Sequence, residues 1–137
     1  VPTEPRARAR TIWFDEYADT LLGACGGKMF FNRIVAPVFL KREGDLAAAD
    51  AAECNELPPL LDYLESVIPE SGFLVEDRLT LADIAVASPF ANFRLLGLKL
   101  DPARWPKTLA YADAILARPS YKPWVEKEAA FLAKTAA

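Results

Sequence analysis

The sequence predicts an all-α protein. Apolar residues recur at three- and four-residue intervals through most of the chain, and a Thr-Leu-Ala-Asp start signal opens its longest apolar run. No stretch alternates apolar and polar residues as a half-buried strand would. The chain has 137 residues, 53% apolar and 26% charged, which suits one domain with an ordinary core and is too hydrophobic for a disordered segment.

The first helix is expected from Pro5 to about Leu22, with Ala7, Thr11, Phe14, Ala18 and Leu21 on its inner face and Pro5 at a first helical position. Gly23, Gly26 and Gly27 each weaken a helix by about 1 kcal/mol relative to alanine, so a kink or short break is expected before Met29 to Val35 resumes the pattern. Lys41 to Asp45 reads as a turn. Leu46 to Ile68 carries leucines at helical intervals but contains Pro58 and Pro59, giving either one kinked helix or two that meet near Leu57.

Pro69 to Gly72 is a turn by composition, and Phe73 to Val75 is a short apolar plug. Thr80 and Asp83 then form a capping box, with aspartate in the place more often held by glutamate, and Leu79 and Ile84 occupy the positions of a hydrophobic staple. The helix from Leu81 to about Leu96 is apolar on nearly every side and is expected at the centre of the core, kinked by Pro89 and ended by Gly97. Another helix turns Leu109, Ala112 and Ile115 or Leu116 inward and stops before Pro119. Ser120 is placed to cap a last helix containing Trp124, Val125, Ala129 and Leu132.

A formal net charge of -3 lacks the basic footprint of nucleic-acid binding. The one basic cluster, Arg6, Arg8 and Arg10, is short and reads as a solvated helix start. No apolar run reaches the roughly 18 residues of a membrane span, and VPTEPRARAR has no hydrophobic signal core; a soluble, cytoplasmic protein is expected. Cys25 and Cys54 form no CxxC and no readable zinc site. The absence of histidine removes every scheme built on imidazole, and the start at valine suggests a fragment.

Gly23 to Lys28 (GACGGK) superficially resembles a phosphate-binding loop. It has the wrong glycine spacing, Met29 where Ser or Thr is needed, and no preceding strand. Asp15, Glu16 and Asp19 can hold a cation or an amine, or can simply form a solvated acidic face. Asn92 lies in an apolar helix and needs an internal partner or a cavity. These residues define no catalytic centre and no metal site.

Gly72 to Ala87 (GFLVEDRLTLADIAVA) is similar to the signature that precedes and opens the buried helix of glutathione transferase C-terminal domains. Arg10 to Leu22, Leu57 to Glu65, Trp105-Pro106 and Ala117 to Ser120 resemble further parts of that domain, in its order, from about Pro5 to Trp124. The resemblance implies a bundle of about five or six helices around a buried central helix, with residues 1–137 as a single domain and residues 1–5 as the remnant of an interdomain linker.

It further implies a parent protein whose thioredoxin-like domain holds the cosubstrate glutathione and activates its thiol. This helical domain would line the pocket for a small hydrophobic electrophile and supply a homodimer face including Phe14 or Tyr17. The chain alone would bind no cofactor and be inactive. By residue, the resemblance places Asp15 against the γ-glutamyl amine of glutathione in the neighbouring subunit. Leu22 and Gly23 would border the thiol site, and Asn92 would front the electrophile pocket with Phe90 and Phe93 beside it. A non-catalytic binding or assembly module is the alternative function for the same fold.

Overall fold

The computed structural model describes residues 1–137 and contains helices and loops only. Helix α1 (Pro5–Tyr17) runs through a π-helical turn (Ala18–Leu22) into α2 (Gly23–Phe30) and a second π-helical stretch (Phe31–Phe39). The next rod joins α3 (Leu46–Ala51), a π-helical turn (Ala52–Glu56) and α4 (Leu57–Val67). Three separate helices follow, α5 (Leu81–Leu95), α6 (Pro106–Leu116) and α7 (Lys122–Ala136). The bundle is therefore five helical rods, with α5 packed against α1, α2, α6 and α7.

The expected interruptions are changes of pitch. The helix does not break at Gly23 to Gly27: a π turn precedes these residues, and α2 carries straight through them. Pro37, which would press on the Arg33 carbonyl in an α-helix, sits inside the second π stretch, and Pro58 and Pro59 open α4 directly after the third. The inner face of the first rod is corrected by one residue: Leu22 (0% exposed) follows Ala18 into the core at the ordinary four-residue spacing, and Leu21 (45%) faces out.

Glu4 caps α1 by accepting the Arg6 and Ala7 amides at 3.0 and 2.7 Å. Gly97, at φ +67°, ends α5 in a Schellman motif, with its amide on the Arg94 carbonyl (3.0 Å) and that of Leu98 on the Phe93 carbonyl (3.1 Å). The capping box at Thr80 and Asp83 is present. Its return arm is the firm one: Asp83 Oδ2 accepts the Thr80 amide at 2.9 Å, while the Thr80 hydroxyl turns to the same oxygen at 3.4 Å. Leu79 packs on the core, but its staple partner Ile84 is exposed.

Two expectations about the later helices are corrected. Helix α5 is not buried all round, because Ile84, Ser88 and Asn92 form an exposed stripe at four-residue spacing. Helix α7 has Tyr121 rather than Ser120 at its N-cap and buries no residue completely; Val125 packs on the core while Trp124 stands out. Its start is fastened to α5 by the Tyr121 hydroxyl, which donates to the Ile84 carbonyl at 3.0 Å and lies 3.1 Å from Ser88 Oγ.

The start of α6 is capped from a distant helix. Glu65 of α4 accepts the Lys107 amide at 3.0 Å and the Thr108 amide and hydroxyl at 2.8 Å each. One turn earlier, Asp62 accepts a two-toothed Arg104 contact and Trp105 Nε1. Partial burial works to raise the Glu65 carboxyl, but the donors outweigh it and hold it below the usual range; the Arg104 and Trp105 hydrogen bonds do the same for Asp62. A lowered folded value means stability that is fully present above the unfolded carboxylate range, about pH 4, and is lost as pH falls through the folded value. In Glu65→Gln the melting-temperature deficit against wild type is therefore expected to be largest near neutral pH and to shrink below about pH 4. A deficit constant across that range would show that charge does not hold the cap.

Candidate functional site

The first rod and α5 diverge on one side of the molecule and leave an open cleft of about 330 Å³. Periodicity builds both walls. On the first rod, Asp15, Asp19, Gly26 and Gly27 face the gap; on α5 the exposed stripe supplies Ile84, Ser88 and Asn92, with Phe93 at the floor. At Gly26 the Phe93 ring lies close against the first rod, since a Cβ there would be 3.0 Å from Phe93 Cε1. That contact lets two helices touch while the carboxylates above them remain open to solvent.

The cleft unites Asp15, Asn92 and Phe93 from the residues singled out in the sequence. Asp15 is half-buried, and Asn92 lines the gap from the exposed stripe of α5, so solvent removes the need for an internal partner or cavity. Leu22, in contrast, is fully buried in the core, and Gly23 is exposed outside the lining of this cleft. Phe90 does not neighbour Asn92 in one pocket: it is buried on the opposite side of α5, where it meets Phe93 edge-on at 5.2 Å and borders a separate cleft with Leu98, Leu100 and Leu109. Phe14 and Tyr17 are core residues and unavailable to a partner; Ile12 and Trp13 are the exposed apolar residues of α1. Asp19, named with Asp15 as a carboxylate that can hold a cation or an amine, also lines the cleft, whereas Ser88 and Gly26 carried no sequence signal for it because their place depends on how two rods cross.

The chain offers no evident group for ionising a thiol. Burial pushes the Cys25 thiol up to about 11, the Glu56 carboxylate adding to the effect, and Sγ points at the Ala52 carbonyl at 3.6 Å. Burial likewise raises the Tyr17 and Tyr111 hydroxyls above the ordinary tyrosine range. Since the thiolate is the reactive form, a thiol-alkylating reagent at neutral pH is expected to modify the exposed Cys54 and spare Cys25 in the folded chain. Mass spectrometry finding two equally fast additions would contradict this. His, Cys, Asp and Glu side chains nowhere gather in a group of three that could hold a metal, and no helix is long and apolar enough to cross a membrane.

The architecture is a bundle of helical rods packed around α5, with an open cleft between α5 and the first rod. The family profile described as glutathione S-transferase, C-terminal domain, matches residues 30–128, and the chain belongs to that family. It is also 41% identical over 56 residues to the probable glutathione S-transferase 5 of Caenorhabditis elegans, a stretch that makes up 41% of this chain and 26% of that relative. The chain thus matches about a quarter of the relative's length. Asp15 lies before the residues matched by the profile.

Proposed function

We propose that this domain acts within a cytoplasmic, homodimeric glutathione transferase, lining the pocket where glutathione meets a small hydrophobic electrophile. A thioredoxin-like domain of the same protein binds glutathione and activates its thiol. In conjugation the thiolate electron pair forms the new carbon–sulfur bond, and either a leaving group departs with the electron pair of its broken bond to that carbon or the π pair of an activated double bond moves to the neighbouring atom and is protonated from water. The helical domain then contributes recognition: Asp15 for the γ-glutamyl ammonium of glutathione in the neighbouring subunit, and Asn92 and Phe93 for the electrophile. Exposed Ile12 and Trp13 are suited to the dimer contact. The observation that carries this reading is the single cleft joining the Asp15 carboxylate to the polar and aromatic groups of α5.

The reading is tested in the protein that carries both domains. A charge-assisted hydrogen bond from ammonium to carboxylate is stronger than a neutral one, so Asp15→Asn is expected to weaken glutathione binding about tenfold, equivalent to about 1.4 kcal/mol. Calorimetric titration supplies the affinity, and kcat/KM ratios for two electrophiles should stay unchanged. Unaltered glutathione affinity would return Asp15 to a solvated acidic face.

A further inference from the structure

The end of α5, the segment after Gly97 and α6 enclose a cleft of about 200 Å³ around Phe90, on the side of α5 turned away from Asn92. Its floor is apolar. Phe90 and Phe93 are 3% and 2% exposed and meet edge-on, and Leu98, Leu100 and Leu109 stand half-buried around them. The charged lining is one residue of each sign: Arg94 of α5 donates through Nη2 to Asp113 Oδ1 of α6. These side chains remain 45% and 73% exposed. A solvated pair of that kind contributes little to stability and opens at little cost.

We infer that this cleft binds a free apolar α-amino acid, with its carboxylate on Arg94, its ammonium on Asp113 and its side chain over the two rings. A cation and an anion held side by side match the two charges of a zwitterion, and each contact is a charge-assisted hydrogen bond. Arg94 gives one guanidinium nitrogen to Asp113, so further N–H donors in its planar fork face no protein acceptor and suit a carboxylate. Other ligand classes fit less well. A simple anion meets the like charge of Asp113, a simple cation meets that of Arg94, and an uncharged ligand leaves both groups without a replacement for water. The volume lies below the roughly 300–1,000 Å³ of drug-sized sites, which suits one small aliphatic or single-ring side chain rather than a helix or a second copy of the chain. Asp15 takes no part in this cleft, so the inference is independent of the transferase reading.

L-leucine is titrated into the isotope-labelled 137-residue protein, with binding followed by amide chemical shifts and the fold of each variant confirmed by circular dichroism. Saturable one-site binding is expected, with the largest shifts at Arg94, Leu98 and Asp113. Isocaproate, which lacks the ammonium, isopentylamine, which lacks the carboxylate, and L-serine, which lacks the apolar body, should each bind about tenfold more weakly or worse. Arg94→Gln and Asp113→Asn should weaken leucine to a similar extent, and Asp15→Asn should bind it as wild type. Failure of leucine, methionine and phenylalanine alike to saturate the wild-type protein would overturn the site, as would equal leucine binding by wild type and both rim variants. Loss of leucine binding in Asp15→Asn would move the ligand to the acidic cleft and overturn it too. Isocaproate binding as tightly as leucine would overturn the zwitterion class. N-acetylleucinamide binding as tightly as leucine would assign the cleft to an apolar anchor of a protein partner and overturn the free amino acid.

Discussion

Asp83→Ala is expected to lower the unfolding free energy by about 3–4 kcal/mol, a fall in melting temperature of roughly 10–20 °C for a chain of this size. The carboxylate is fully buried. Oδ1 accepts the Leu74 amide at 2.9 Å and the Tyr111 hydroxyl at 3.1 Å, while Oδ2 accepts the Thr80 amide at 2.9 Å. Alanine would leave all three donors without that partner, and a buried orphaned donor costs about 1–3 kcal/mol. The losses fall on one network and do not add fully. Thr80→Ala should cost only about 1 kcal/mol, because it removes a cap hydroxyl while the Asp83 return arm survives. Denaturant melts at constant m-value distinguish the two. Equal deficits would mean that Asp83 works only as a cap.

The difference between those two substitutions shows what the sequence could reveal. Thr80 and Asp83 lie three positions apart before an apolar run, so their pairing is local and readable. The bonds from Asp83 to Leu74 and Tyr111 join the plug and α6 to the start of α5, and nothing at short range announces them. Asp62 and Glu65 carry no local sequence signal of their roles. They became a cap for α6 because of where that helix docks.

The same division applies to the cleft. Asp15, Asn92 and Phe93 could be proposed because a family resemblance and a regular helix fix their faces. Leu22 came from the resemblance alone, and its four-residue spacing from Ala18 turns it into the core; Phe90 differs from Asn92 because residues two apart on a helix face opposite sides. Helix α7 was legible as a helix from its apolar spacing, but periodicity does not say which of its apolar residues are buried, and Trp124 and Phe131 are exposed.

Glycines give the sharpest contrast between composition and packing, and the second large effect. Gly44→Ala is expected to cost about 3 kcal/mol, at the upper end of overpacking effects, because a Cβ at position 44 would run into the backbone carbonyl of Asn32. That carbonyl belongs to a helical stretch and cannot rotate away. The Asn32 side chain also holds the loop, with Oδ1 accepting the Asp45 amide at 2.8 Å and Nδ2 donating to the Lys28 carbonyl at 2.9 Å. Moving the loop to admit a methyl group would pull on that clamp and on the Asp45 cap of α3. Gly27→Ala should act in the opposite direction. Its Cβ would meet nothing within 4 Å, so alanine is expected to add about 0.5–1 kcal/mol by its helix propensity. Thermal melts of the two variants should therefore move to opposite sides of wild type; a stable Gly44→Ala chain would show that the loop after the first rod yields without breaking the Asn32 clamp.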